Sequence, residues 1–211
     1  MPFFTRRRPK QAKKPVNWRA VFAESGFISV SILLAFALQD WDEASDIEER
    51  TLIALCNVKS ELKLNKVLLQ NDYIPRQKGL SATVNGTISQ LESMPGQQTP
   101  DTNLEAMYQQ KSLRYSAWAL AGESGYLLHA NFELATEIGA LIHFQQDNYA
   151  NVVTKLNAAI FERSTDYTAD PLAYYVSLSG LIDEWITQTN YLEQMYSSLF
   201  ARKDFIELPC D

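Results

Sequence analysis

The chain has 211 residues, 46% of them hydrophobic, and a net charge of −6: enough for one modest core with appendages, too little for two independent cores. Two cysteines exclude a disulfide-scaffolded fold, and two histidines and eight glycines leave little material for metal cages or phosphate-binding loops. The charge is divided unevenly, because Arg6, Arg7, Arg8, Lys10, Lys13, Lys14 and Arg19 make the first 19 residues about +7 and leave about −13 for the rest.

A basic tail ahead of an acidic body suits an anionic membrane surface. A nucleic-acid partner is not expected, because the positive charge is confined to one short, Pro-interrupted arm. From Val21 to Leu38 the sequence runs VFAESGFISVSILLAFAL, with Glu24 its one charge. Eighteen helical residues rise ~27 Å, against a hydrocarbon core of ~30 Å. Trp18 and Trp41 flank this run as interface anchors. Basic residues crowd its N-terminal side, while Asp40, Asp42, Glu43 and Asp46 follow it, so the positive-inside rule puts the N-terminus in the cytoplasm and the body outside. The expected layout is a basic cytoplasmic tail over 1–16, a transmembrane anchor over 17–41 and an extracytoplasmic domain over 42–211.

Three other readings compete. Ala35-Phe36-Ala37 fits a signal-peptide cleavage pattern, although no Gly or Pro breaks the helix ahead of it. The Arg-rich, acid-free tail also fits a mitochondrial presequence. A buried core helix is disfavoured by the charge asymmetry and the paired tryptophans. Within the anchor, Ala20, Glu24, Phe27, Ser31 and Ala35 share one helix face, and Ser31 with Ala35 forms a small-xxx-small pair. Glu24 is costly in a span. It either snorkels to the nearby headgroups or, with Phe27, Ser31 and Ala35, meets a transmembrane partner.

Beyond the anchor no Pro or Gly occurs between Gly26 and Pro75. One helix capped at Asn17 therefore runs on to about Tyr73, ~85 Å at 1.5 Å per residue, with Leu52, Leu55, Val58, Leu62 and Leu69 as its apolar stripe. Further helices are expected over about 77–94 (Leu80, Val84, Ile88, Leu91), then after the Pro95–Pro100 loop over 102–128, opened by the capping box Thr102-x-x-Glu105 and kinked or broken at Gly122-Glu123-Ser124-Gly125. Another runs over 132–162 behind Asn131, and a last one over 171–202 behind Asp170-Pro171. No window alternates as a strand would. The fold class is all-α: one N-terminal transmembrane helix continuing into an antiparallel helical bundle.

Asn17-Trp18-Arg19 with Leu38-Gln39-Asp40-Trp41-Asp42-Glu43, and Trp118-Ala119-Leu120-Ala121 with Ser124-Gly125-Tyr126-Leu127 followed by Leu134 and Ile138, resemble a group of uncharacterised bacterial single-pass inner-membrane proteins. That group has a basic tail, a span with an early Glu and an aromatic-acidic exit. The likeness covers about a third of the chain and departs at Gln39-Asp40, where Asn or an apolar residue is commoner. It implies a bacterial inner-membrane protein with a periplasmic helical domain, and it transfers no catalytic residue.

Signals of chemistry are weak. His129, Glu133, Glu137 and His143 lie along roughly one face, but Glu-x-x-His pairs are missing and a boundary histidine beside surface acids explains them equally; no metal and no cofactor is expected. Ser124 between two glycines lacks the order of a hydrolase elbow and a preceding strand. Asn85-Gly86-Thr87 is a formal glycosylation sequon, read as incidental. Trp118, Tyr126, Phe132, Phe144, Tyr149, Tyr174, Tyr175, Trp185, Tyr191 and Tyr196 are better read as core than as a pocket lining. Cys56 and Cys210 either bridge, tying the C-terminus to the first helix, or stay apart, with Cys56 a small core residue; the sequence leaves both open.

No catalytic set emerges, so the expectation is an accessory or scaffolding subunit of an inner-membrane assembly rather than an enzyme. Its partners would be the bilayer and an integral membrane protein, or a second copy, met through the anchor helix. A ligand-sensing bundle acting through a membrane partner is the alternative, and a metal-dependent enzyme the more distant one.

Overall fold

A computed structural model describes residues 18–94, 103–108, 111–161 and 170–210. The basic tail, the Asn17 cap, the Pro95–Pro100 loop and Thr102 of the expected capping box lie outside them. The described residues are helical or connect helices, with no strand among them. The chain divides into two compact units, residues 1–46 and 47–211.

The described part of the first unit is the leading part of α1 (Trp18–Leu68). Its large apolar side chains are exposed on every face, among them Phe22, Phe27, Ile28, Leu33, Leu34 and Phe36. One helix among the described residues is long and apolar enough to cross a membrane. Its most apolar eighteen residues lie near the N-terminus, average a mean hydropathy of 1.6 and have no buried member. Ser29 and Ser31 donate their hydroxyls to the carbonyls of Ser25 and Phe27, at 2.9 and 2.8 Å, so neither hydroxyl needs water.

The second unit has its own core. The remainder of α1 buries Leu55, Val58 and Leu62, and Leu69 just after it is buried as well, while Leu52 is half-buried. Pro75 does not end the helix as the sequence suggested. It lacks the N–H a helix interior needs, and its ring would collide with the carbonyl four residues back. The chain instead widens into a π turn at Leu69–Tyr73, where Ile74 N–H reaches Leu69 O, and continues as α2 (Ile74–Ser93). The gap expected between 73 and 77 is therefore absent.

The helix expected over 102–128, with a kink or break at Gly122-Glu123-Ser124-Gly125, does end there, but it is also interrupted earlier. Two short helices, α3 (Leu104–Tyr108) and α4 (Ser116–Glu123), flank a non-helical stretch at 111–115. Gly125 then adopts a left-handed conformation (φ 77°) and a 3-10 turn follows at Tyr126–His129. Asn131 caps α5 (Phe132–His143) by accepting from Leu134 N–H. A second π turn at Phe144–Tyr149 joins α5 to α6 (Ala150–Phe161).

Asp170 caps α7 (Pro171–Ala201), its side chain accepting from Ala173 N–H. This helix buries Tyr175, Leu178, Ile182, Trp185, Thr189, Leu192, Tyr196 and Leu199, steps of three and four residues that keep one stripe inward. Gln70, Gln77 and Asn85 meet Glu193, Thr189 and Ser179 in that order, so α2 and α7 lie side by side with opposite chain directions. The chain turns outward at Arg202 and closes with α8 (Lys203–Ile206), where buried Phe205 sits 5.1 Å from the Phe200 ring. Lys59 covers Phe205 and donates to Ile206 O. A disulfide joins Cys56 to Cys210, with 5.4 Å between their Cα atoms.

Candidate ligand cleft

Each buried stripe carries polar residues in register with its leucines, and these build the interior of the second unit. Asn65 of α1 is buried and grips Arg114 twice, donating to its carbonyl at 2.7 Å and accepting from its N–H at 2.9 Å. Gln145 of the second π turn donates to the same carbonyl at 3.1 Å and accepts from the Tyr196 hydroxyl at 2.8 Å. Glu61 accepts from the Ser116 hydroxyl and from Ala117 N–H, capping α4 from outside because Tyr115, at the N-cap, provides no side-chain bond. Arg114 cannot offer its backbone to a helical ladder and to Asn65 at once. This is the physical reason the 102–128 helix breaks.

That break opens a cleft of about 980 Å³ in the second unit. Its walls are the first π turn and the start of α2 (Asp72, Arg76), the non-helical stretch 111–115, and the second π turn with α6 (Gln145 to Phe161). Tyr108, Tyr149 and Gln145 form a buried floor. The floor is fixed from behind: Trp185 Nε1 donates to the Tyr149 hydroxyl at 2.9 Å, and Tyr108 donates to Val153 O at 3.0 Å. Tyr73 and Tyr149, one from each π turn, stack with ring planes 3° apart. Burial, with a further contribution from Tyr149, raises the pKa of the Tyr108 hydroxyl well above the ordinary tyrosine range. Tyr196 is raised likewise, chiefly by burial, with Glu61 and Tyr149 adding and the Asn65 hydrogen bond opposing. Both phenols therefore serve as neutral donors.

The mouth is charged. Arg76 Nε donates to Asp72 Oδ1 at 2.6 Å, and Lys111 stands on the non-helical stretch. Asp147 pairs with His143 at 2.7 Å, both exposed. Two π turns facing one cleft is a feature with functional weight, because such turns recur at binding sites.

The other sequence candidates fall elsewhere. Glu24, Phe27, Ser31 and Ala35 are exposed on α1 in the first unit, as are Trp18 and Trp41. Glu133 and Glu137 face Arg202 at 4.0 and 3.5 Å and His143 faces Asp147, while His129 is exposed. No cluster of three potential metal ligands occurs among the described residues. Of the aromatic set, Tyr149, Tyr175, Trp185 and Tyr196 are buried, whereas Phe132 is 83% exposed. Asp72, Arg76, Tyr108, Lys111 and Gln145 escaped the sequence reading. The available signal was a polar residue in step with an apolar stripe, as at Asn65 and Gln145.

The chain matches no known family model, no curated protein and no solved structure.

Proposed function

We propose that the protein is an accessory subunit of a bacterial inner-membrane assembly, anchored by the apolar part of α1 with its N-terminus cytoplasmic and a periplasmic, antiparallel helical bundle beyond. The observation that carries this reading is the uniform exposure of the helix over Phe22–Leu38. A core helix hides one stripe from water; a helix apolar on every face suits a lipid surround. The serine hydroxyls bonded back to their own carbonyls suit the same surround. The one-sided basic tail supports the orientation. The Cys56–Cys210 bridge suits an oxidising compartment.

The face of Glu24, Phe27, Ser31 and Ala35 is the proposed contact with an integral membrane partner or a second copy. Full-length protein in mild detergent should co-purify with that partner after cross-linking. Glu24→Leu combined with Ser31→Leu should cut its recovery several-fold and leave membrane retention intact. Unchanged recovery would remove the role given to this face. A chain shortened after Ala37 and recovered without detergent would replace the anchor with a cleaved signal peptide.

The cleft favours a second reading, in which the domain binds a small ligand and passes that state to its membrane partner. Its volume lies within the usual range for ligand sites, ~300–1,000 Å³, and its lining sets aromatic and aliphatic side chains beside polar and charged ones.

A further inference from the structure

We infer that the cleft takes a small organic anion, a carboxylate attached to a flat aromatic body. This rests on the ligand-binding reading and gives the ligand its chemistry. The charges at the mouth are two cations, Arg76 and Lys111, and two acids, Asp72 and Asp147. The acids already have partners within their own helical segments, Asp72 in Arg76 and Asp147 in His143. The Asp72 contact uses only Nε of Arg76. It orients the guanidinium at its inner edge, and the two terminal nitrogens carry four further N–H donors in a fork that matches a carboxylate. Lys111, on the facing stretch, adds a mobile point charge.

Below this pair lie the rings of Tyr108 and Tyr149, with Phe161 and Tyr115, each about half exposed, at the rim. Tyr108 lies 6.2 Å from Phe161 and 5.5 Å from Trp185, which is buried behind the cleft, so a planar guest would meet Phe161 and the uncovered margins of Tyr108 and Tyr149. The floor hydroxyls are committed to Val153 O and Trp185 Nε1, which leaves ring surface as the floor's main offering. A guest with its charge at one end and a ring at the other satisfies both halves of the cleft. A cation would meet Arg76 and Lys111 at the mouth and gain little from acids already paired.

The test uses the full chain in mild detergent and ligand-observed NMR, with three probes: 3-phenylpropanoate, its neutral amide, and 3-phenylpropylamine. The carboxylate should bind with Kd below about 1 mM and the amide at least tenfold more weakly, since a charge-assisted pair is replaced by a neutral one. Arg76→Gln should weaken carboxylate binding at least tenfold and Lys111→Gln several-fold, both with unchanged helical content. Equal binding of acid and amide, or undiminished binding in Arg76→Gln, overturns the proposal. Preference for the amine overturns it while leaving a ligand-binding cleft in place. No binding by any probe removes both.

Discussion

Phe22–Leu38 and Thr51–Leu69 belong to one helix and answer to different surroundings. In the first stretch Phe22, Phe27, Val30, Leu33, Leu34, Phe36 and Leu38 are all more than half exposed. In the second, Leu55, Val58, Leu62 and Leu69 are at most 5% exposed, and the positions between them are mostly polar, with Leu64 and Val67 on the exposed side. Burial of an apolar side chain contributes roughly 1.5–3 kcal/mol. The second stretch gains this from its own unit, whereas among the described residues none covers the first. Hydrophobicity alone does not separate a core stripe from an anchor; its distribution around the helix does.

The sharpest way to break this comparison is to truncate one large apolar residue in each setting. Trp185→Ala should lower unfolding stability by about 3–5 kcal/mol, because Trp185 is 1% exposed and its Nε1 holds the Tyr149 hydroxyl. Leu33→Ala, at a position 68% exposed, should leave chemical denaturation of the domain within about 0.5 kcal/mol of the parent. A large loss from Leu33→Ala would mean that the first stretch packs on protein after all.

How much of this was readable in advance follows the range of the forces involved. The caps at Asn131 and Asp170 are local, formed by a side chain and an N–H three residues away, and they were legible. So was the α1 stripe, which needs only periodicity. The break at Gly122–Gly125 was legible too, but the interruption at 111–115 was not, because the side chains that hold it, Glu61 and Asn65, lie some fifty residues upstream. The cleft depends on that interruption and on two π turns, so it was hidden for the same reason. Asp72, Arg76 and Lys111 look like ordinary surface charges until the fold gathers them at one mouth.

The disulfide gives the next effect in size. Cys56 and Cys210 are 154 residues apart, and the chain-entropy model assigns closure of such a loop on the order of 5 kcal/mol as a ceiling, with about 2–4 typical. Cys210→Ser should therefore lower stability by about 2–4 kcal/mol in a denaturant titration of full-length protein, and reductant should add nothing further to the variant. It should also loosen the contact of Lys59 with Ile206 O and the Phe205 ring, which lie within the same corner. An unchanged midpoint would mean that Phe205 and the Lys59 contacts hold α8 without help from the bridge.

The smallest effect is the most discriminating, because it adds a methyl group and removes nothing. Gly180 lies in the middle of α7 on its exposed side, and a Cβ built there meets nothing within 4 Å. Gly180→Ala should raise domain stability by about 0.5–1 kcal/mol, since alanine gives up less backbone entropy on entering a helix. Gly26 of α1 is equally open and also helical. If the first stretch takes no part in the cooperative unfolding of the second unit, Gly26→Ala should leave the same denaturation curve unmoved. Equal gains at both positions would show that the two units unfold together. Gly139 sets the other limit: its added Cβ would stand 3.3 Å from Trp118, so part of the entropic gain there is offset by displacing the indole. The expected order of stabilisation is Gly180→Ala above Gly139→Ala, with Gly26→Ala silent. A first stretch that unfolds independently of the domain produces that silence.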